Sequence, residues 1–141
     1  MTRVYISIGS NQQPRRHIRQ ALELLMDRFG KLELSPVYES AAVGFEGDNF
    51  LNLVVGFETG LSLEQVDSAL GEIEQQCGRV RLQEKFSPRT MDLDLLLFDD
   101  LVRHDEQWDI PRGEIHHYAF VLKPLAEVIP TAIHPETGLS Y

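Results

Sequence analysis

The 141-residue chain has one cysteine, Cys77, which excludes an intramolecular disulfide framework and any cysteine-built metal cluster. It has no apolar run near the roughly 20 residues that cross a bilayer. The opening Met1-Thr2-Arg3 and Val4-Tyr5-Ile6-Ser7-Ile8 is too short and polar for a secretory signal. Positive charge is scarce, with 13 Lys+Arg against 22 Asp+Glu and a net charge of −9. Such a surface repels phosphate backbones and anionic lipid, so neither nucleic acid nor membrane is an expected partner. Repeats, low-complexity tracts and linkers are also missing. What remains is an ordinary soluble balance, 43% hydrophobic and 25% charged, at the length of one domain. A single domain over residues 1–141, located in the cytoplasm, is the expectation.

Hydrophobic spacing sets out the elements. Val4, Ile6 and Ile8 share one parity of a half-buried strand, which Gly9-Ser10-Asn11 is expected to break. Pro14 suits a first helical turn, and Ile18, Ala21, Leu22, Leu25 and Phe29 then line one helical face that Gly30 ends. Extended stretches follow over about 32–43, interrupted by Pro36, and over Phe50 to Glu58, with Leu51, Leu53, Val55 and Phe57 on one side. The segment between them, Gly44–Asn49, is expected to be a mobile loop. Ser62-Leu63-Glu64-Gln65 has capping-box spacing, and Leu63, Val66, Leu70, Ile73 and Cys77 continue with helical period to a C-cap at Gly78. Met91, Leu93, Leu95 and Leu97 then predict a strand with Asp92 and Asp94 on its other face. A short helix within about Tyr118–Val128 completes the pattern. The order strand–helix–strand–strand–helix–strand predicts an α+β fold, a ferredoxin-like antiparallel sheet with helices packed on it as an α/β/α sandwich.

Chemistry-bearing residues concentrate late in the chain. No Lys or Arg occurs between Lys31 and Arg79, and then Arg79, Arg81, Lys85 and Arg89 fall within eleven residues. Alone, such a run is commonly a solvated loop; in an acidic protein it is also an island suited to a compact polyanion. Asp92 and Asp94, at i and i+2 on one strand face, sit roughly 6–7 Å apart at the backbone. Carboxylates so placed can hold Mg²⁺ together with phosphate oxygens. D-x-D alone is a weak signal. Beside four bases it becomes equipment for phosphoryl transfer. Phe50, Phe86 and Phe120 could offer ring faces, and Asn52 an amide, to a planar heterocycle, although each taken singly fits the core, or for Asn52 a turn or edge, better. The five histidines lack metal-ligand spacing, and Cys77 on its apolar face fits packing.

These residues carry a resemblance. Tyr5-Ile6-Ser7-Ile8-Gly9-Ser10-Asn11, Tyr38-Glu39-Ser40 with Gly44, Phe50-Leu51-Asn52, Ile73-Glu74, Gly78-Arg79-Val80-Arg81, Ser87-Pro88-Arg89-Thr90-Met91-Asp92-Leu93-Asp94, Ile110-Pro111 and Phe120–Pro130 occur in order. Together they resemble the 6-hydroxymethyl-7,8-dihydropterin pyrophosphokinase family, HPPK, of folate biosynthesis. The resemblance implies transfer of pyrophosphate from ATP to 6-hydroxymethyl-7,8-dihydropterin, with AMP released. It implies two Mg²⁺ ions on Asp92 and Asp94, ATP as co-substrate, and catalytic roles for Arg79, Arg81, Arg89, Asp92 and Asp94. It implies ATP binding by Glu74, Arg81, Lys85, Arg89 and Arg112, and pterin binding by Ser40, Ala41, Val43, Phe50, Asn52, Phe86 and Phe120.

Several positions depart from the family pattern. Phe86 stands for the usual loop tryptophan, Lys85 for an arginine, Arg112-Gly113 follows Ile110-Pro111 where a histidine is usual, and Tyr118 replaces a base. Two functions follow: an active pyrophosphokinase in which Arg112, His116 or His117 compensates, or a pterin-binding paralogue with weak activity or a different pterin substrate. In both, the partners are small molecules and the chain is expected to act as a monomer. Gly44–Asn49 and Val80–Ser87 are expected to close over ATP.

Overall fold

The computed structural model describes residues 1–11, 13–40, 50–77 and 91–112. The first strand, β1 (Thr2–Ser10), pairs antiparallel along its whole length with β4 (Phe50–Thr59) and on its other side with β5 (Asp92–Phe98). Two short strands, β2 (Glu33–Leu34) and β3 (Tyr38–Ser40), both pair with the outer side of β4. The sheet order is therefore β2-β4-β1-β5, with β3 also on β4. This is the antiparallel ferredoxin-like arrangement that the element order predicts.

Pro36 interrupts the outer strand, because it has no N–H to give to a ladder. Ser35 holds the chain to β4 at the interruption. Its amide donates to the Val54 carbonyl (2.9 Å), and its Oγ accepts from the Val54 amide (2.9 Å) and donates to the Pro36 carbonyl (2.9 Å).

Two helices cover one face. In α1 (Pro14–Phe29) the buried positions are Ile18, Ala21 and Leu25, and Gly30 ends the helix at φ 79°, its amide donating to the Met26 carbonyl. A left-handed residue there favours glycine. In α2 (Leu63–Gln76) the predicted capping box is complete: Ser62 Oγ accepts from the Gln65 amide, and Gln65 Oε1 from the Ser62 amide. Its C-cap is Cys77, one residue before the expected Gly78. The helices pack their apolar stripes with Val4, Ile6 and Ile8 of β1, Leu53, Val55 and Phe57 of β4, and Met91, Leu93 and Leu95. Phe29 stacks on Phe57 with ring centroids 4.1 Å apart, fixing the end of α1 to the sheet.

Two strand expectations need correction. Gly9 and Ser10 do not break β1, since they pair with Asn52 and Leu51 of β4 and Gly9 also with Asp92. A turn-forming triplet is overridden because strands on both sides supply hydrogen-bond partners. Nor does Leu97 share a face with Met91, Leu93 and Leu95. Ile6 pairs with Leu95 but Tyr5 with Leu97, so Leu96 is a bulged extra residue. Beyond it Phe98 packs toward the helices, and Leu97 lies beside Tyr5 on the other side.

A small hairpin, β6 (Arg103–His104) and β7 (Asp109–Ile110), returns the chain to the sheet. Asp105 Oδ1 accepts from the Gln107 and Trp108 amides, and Arg103 lies over the Trp108 ring at 5.9 Å. Ile110 enters the core, and the Ile110–Pro111 peptide is cis. Expected features at 44–49, 80–87 and 118–128 lie outside the described residues.

Candidate active site

The face of the sheet turned away from the helices carries the site. Two rows of paired residues cross it. One runs Asp92, Gly9, Asn52, Tyr38 over four strands, and the next runs Asp94, Ser7, Val54 over three. Strand alternation thus puts both aspartates and Asn52 on one surface, as the sequence predicts for the aspartates. Asp92 and Asn52 stand about 10 Å apart, two strand spacings.

Coverage of that surface is uneven. Tyr5, Val54 and Leu97 are buried, and so is Asn52, at 7% exposure. Ser7, Gly9, Asp92 and Asp94 are only partly covered. These four are mutual neighbours in register, Ser7 with Asp94 and Gly9 with Asp92. They form an opening with two carboxylates on one side and, beyond a residue without a side chain, an amide on the other. Gly9 is the position that sequence reading missed, because a G-S-N triplet reads as a turn. The signal was present in the parity: Tyr5, Ser7 and Gly9 continue one face of β1.

Two further residues bear on the carboxylates. Arg112 donates its amide to the Leu96 carbonyl (3.1 Å), which ties it to β5 at the bulge. Its Nη2 lies 3.4 Å from Asp94 Oδ1, an ion pair with the two side chains 32% and 22% exposed. Glu74 approaches from α2. It is 5% exposed, and its Oε2 accepts from the Leu93 amide at 2.9 Å, between the two aspartates. Nearby Cys77 is buried, and that burial, with the charge of Glu74 second, raises its thiol pKa.

Of the residues expected in the site, Asn52, Glu74, Asp92, Asp94 and Arg112 are brought to β5, its neighbours or the opening. Ser40 and Phe50 pair with each other through their backbones at the β3–β4 junction, two positions along β4 from Asn52. Ala41, Val43, Arg79, Arg81, Lys85, Phe86, Arg89 and Phe120 lie outside the described residues. A shallow groove lined by Arg15, Arg16, Arg19, Gln20 and Glu23 lies on α1 and includes none of the site residues.

The donor set suits Mg²⁺. Two hard carboxylates on one face of β5, two residues apart and both partly exposed, match an ion that takes one or two carboxylates and fills its remaining positions with water and phosphate oxygens. Among the described residues no group of three or more His, Cys, Asp or Glu side chains could hold a metal as an all-protein cage.

Known proteins share this sequence over most of its length. The family model for 7,8-dihydro-6-hydroxymethylpterin-pyrophosphokinase (HPPK) matches residues 5–130. The 2-amino-4-hydroxy-6-hydroxymethyldihydropteridine pyrophosphokinase of Aquifex aeolicus is 35% identical over 137 residues, covering 96% of this chain and 85% of the relative. That of Bacillus subtilis is 37% identical over 128 residues, covering 88% and 76%. The folic acid synthesis protein fol1 of Pneumocystis carinii is 37% identical over 140 residues, and there the match spans 97% of this chain but only 19% of the longer protein. A crystal structure of HPPK-DHPS in complex with substrates superposes with a TM-score of 0.76 over 99% of this chain and 42% of its own, at 14% identity, a likeness of fold. A match that begins in β1 and runs past the aspartate strand, with relatives alike over nearly the whole length, places the chain in the 7,8-dihydro-6-hydroxymethylpterin-pyrophosphokinase family.

Proposed function

We propose that the protein carries out Mg²⁺-dependent transfer of pyrophosphate from ATP to 6-hydroxymethyl-7,8-dihydropterin in the cytoplasm. The observation that supports this most directly is the opening formed by Ser7, Gly9, Asp92 and Asp94, with Asn52 in the same row as Asp92. It offers a carboxylate pair and a buried amide about 10 Å apart, across a residue with no side chain. A flat heterocycle read by Asn52 could reach toward phosphates at the aspartates. Its hydroxymethyl oxygen would bond to the β-phosphorus, and the bond from that phosphorus to the α–β bridging oxygen would break. AMP would leave with the bridging oxygen and its electron pair, and the hydroxyl proton would pass to solvent.

Asp92 and Asp94 would hold two Mg²⁺ ions. Bound there, Mg²⁺ would offset the phosphate charge that otherwise opposes approach of the hydroxyl oxygen. Asn52 orients the pterin by hydrogen bonds to its amide edge, and Arg112 adds a guanidinium beside the phosphates. The motif resemblance assigns the remaining phosphate contacts to Arg79, Arg81, Lys85 and Arg89, and the pterin walls to Ser40, Ala41, Val43, Phe50, Phe86 and Phe120.

The test is AMP release from ATP in the presence of the hydroxymethyl pterin, with and without Mg²⁺, for wild type and Asp94→Ala. Release that requires Mg²⁺ and disappears in Asp94→Ala supports the reading. Near wild-type release by Asp94→Ala at saturating Mg²⁺ refutes the metal assignment. Pterin binding by calorimetry with no AMP release by the wild type establishes the binding paralogue instead.

A further inference from the structure

Glu74 occupies a position that the helical period of α2 assigns to the core. The other buried residues of that helix, Leu63, Val66, Ala69, Leu70 and Ile73, are all apolar, and Glu74 is as buried as they are, at 5% exposure. A carboxylate withdrawn from water to that degree is costly unless hydrogen bonds compensate it. Its Oε2 accepts from the Leu93 amide at 2.9 Å, in a buried bond linking residues 19 apart in sequence. That amide points away from β1, toward the side of β5 on which no described strand pairs. Leu93 is the residue between Asp92 and Asp94. A tilt of its peptide unit therefore re-aims the carboxylates on both sides of it.

We propose that Glu74 is a positioning residue. It anchors the β5 backbone at Leu93, so that Asp92 and Asp94 project together into the opening. With so little exposed surface it acts through the strand, where the family resemblance places it toward the nucleotide. This rests on the reading of the two aspartates as Mg²⁺ ligands. Outer partners of metal ligands commonly set affinity by orienting them, at about 10–100-fold when lost.

Two conservative substitutions separate anchoring from charge. Glu74→Gln removes the charge and keeps an acceptor at the same reach. Glu74→Asp keeps the charge and draws the acceptor back by one methylene. The readouts, in nucleotide-free protein, are hydrogen exchange of the Leu93 amide by NMR and Mn²⁺ affinity by electron paramagnetic resonance. Unfolding midpoints in urea establish that the variants are folded, and Glu74→Met, with no acceptor oxygen, serves as a third variant. The expected result is that Glu74→Gln stays within about threefold of wild type in both readouts. Glu74→Asp and Glu74→Met exchange Leu93 and lose Mn²⁺ affinity by about tenfold or more.

If Glu74→Gln is the weaker binder and Glu74→Asp is normal, Glu74 acts by charge and the proposal is overturned. Faster Leu93 exchange without loss of Mn²⁺ affinity overturns it too, leaving a purely structural bond. Asp92→Asn and Asp94→Asn belong in the same titration. If neither alters Mn²⁺ binding, the aspartate reading fails and takes the proposal with it; if both do and Glu74→Asp does not, only the role of Glu74 fails.

Discussion

Replacing Arg112 with methionine is expected to tighten metal binding by the nucleotide-free protein, although it removes a residue assigned to the site. The guanidinium stands 3.4 Å from an Asp94 oxygen and competes with any cation for that carboxylate. Two unit charges at that separation attract by about 1 kcal/mol in bulk water and about 5 kcal/mol at the effective dielectric of a protein surface. With the side chains 32% and 22% exposed, solvent screens the pair, and a net value of about 1 kcal/mol is appropriate. That corresponds to a roughly fivefold gain in affinity when the competitor is gone. Methionine keeps an unbranched apolar stem without the guanidinium, and the Arg112 amide bond to Leu96 belongs to the backbone. Mn²⁺ titrated into Arg112→Met, with free ion read by electron paramagnetic resonance, should show the gain at low salt and a smaller gain at high salt. The same variant should bind an ATP analogue with Mg²⁺ more weakly, because the guanidinium is then missing from the phosphates. Unchanged or weaker Mn²⁺ binding without nucleotide would refute the reasoning.

Ser35→Ala leaves the buried Val54 amide without its hydroxyl acceptor, a loss of about 1–3 kcal/mol. The thermal midpoint should fall by several degrees, and an unchanged midpoint would deny that bond a role in stability. Asn52→Ala should weaken pterin binding by about 1–3 kcal/mol in calorimetry while leaving Mn²⁺ affinity intact; equal pterin affinity would remove Asn52 from the site. The Cys77 thiol, raised by burial, ionises in the unfolded chain first. Its contribution to stability is therefore complete below the ordinary thiol range and lost as pH rises through that range toward the folded value. Between pH 8 and pH 10 wild type should lose more stability toward urea than Cys77→Ala does, and equal losses would contradict the shift.

The periodic parts of this chain were legible from sequence because burial follows spacing. The α1 stripe, the capping box at Ser62 and the alternation in β4 and the first half of β5 each needed only the local pattern and one core. Asp92 and Asp94 could be placed on one face for the same reason. Three things could not be read locally. Gly9-Ser10 stays extended because β4 pairs with both residues and β5 with Gly9, information held about 40 and 80 residues away. Ser35 Oγ accepts from a β4 amide where the outer strand is interrupted, which depends on Val54 lying opposite. The environment of Glu74 depends on packing α2 against β5, and a glutamate on a helix gives no sign that it will meet a strand amide. Arg112 was singled out because it stood where the family has another residue; its pairing with Asp94 required the β6–β7 hairpin to fold back on the sheet.

The extra residue at Leu96 bears on how the site survives errors in pairing. A regular strand can slide by two residues against its neighbour and keep every side chain on its proper face, so alternation alone does not forbid that error. In β5 the change of face occurs at one place, opposite the Tyr5–Ile6 step of β1. A two-residue slide would move that change away from its match, turning an apolar side chain outward or a half-exposed one inward at several rungs. Asp94 opposite Ser7 and Asp92 opposite Gly9 thus share their alignment with an irregularity two to four residues along the strand, which disfavours the slipped pairings that alternation alone would allow.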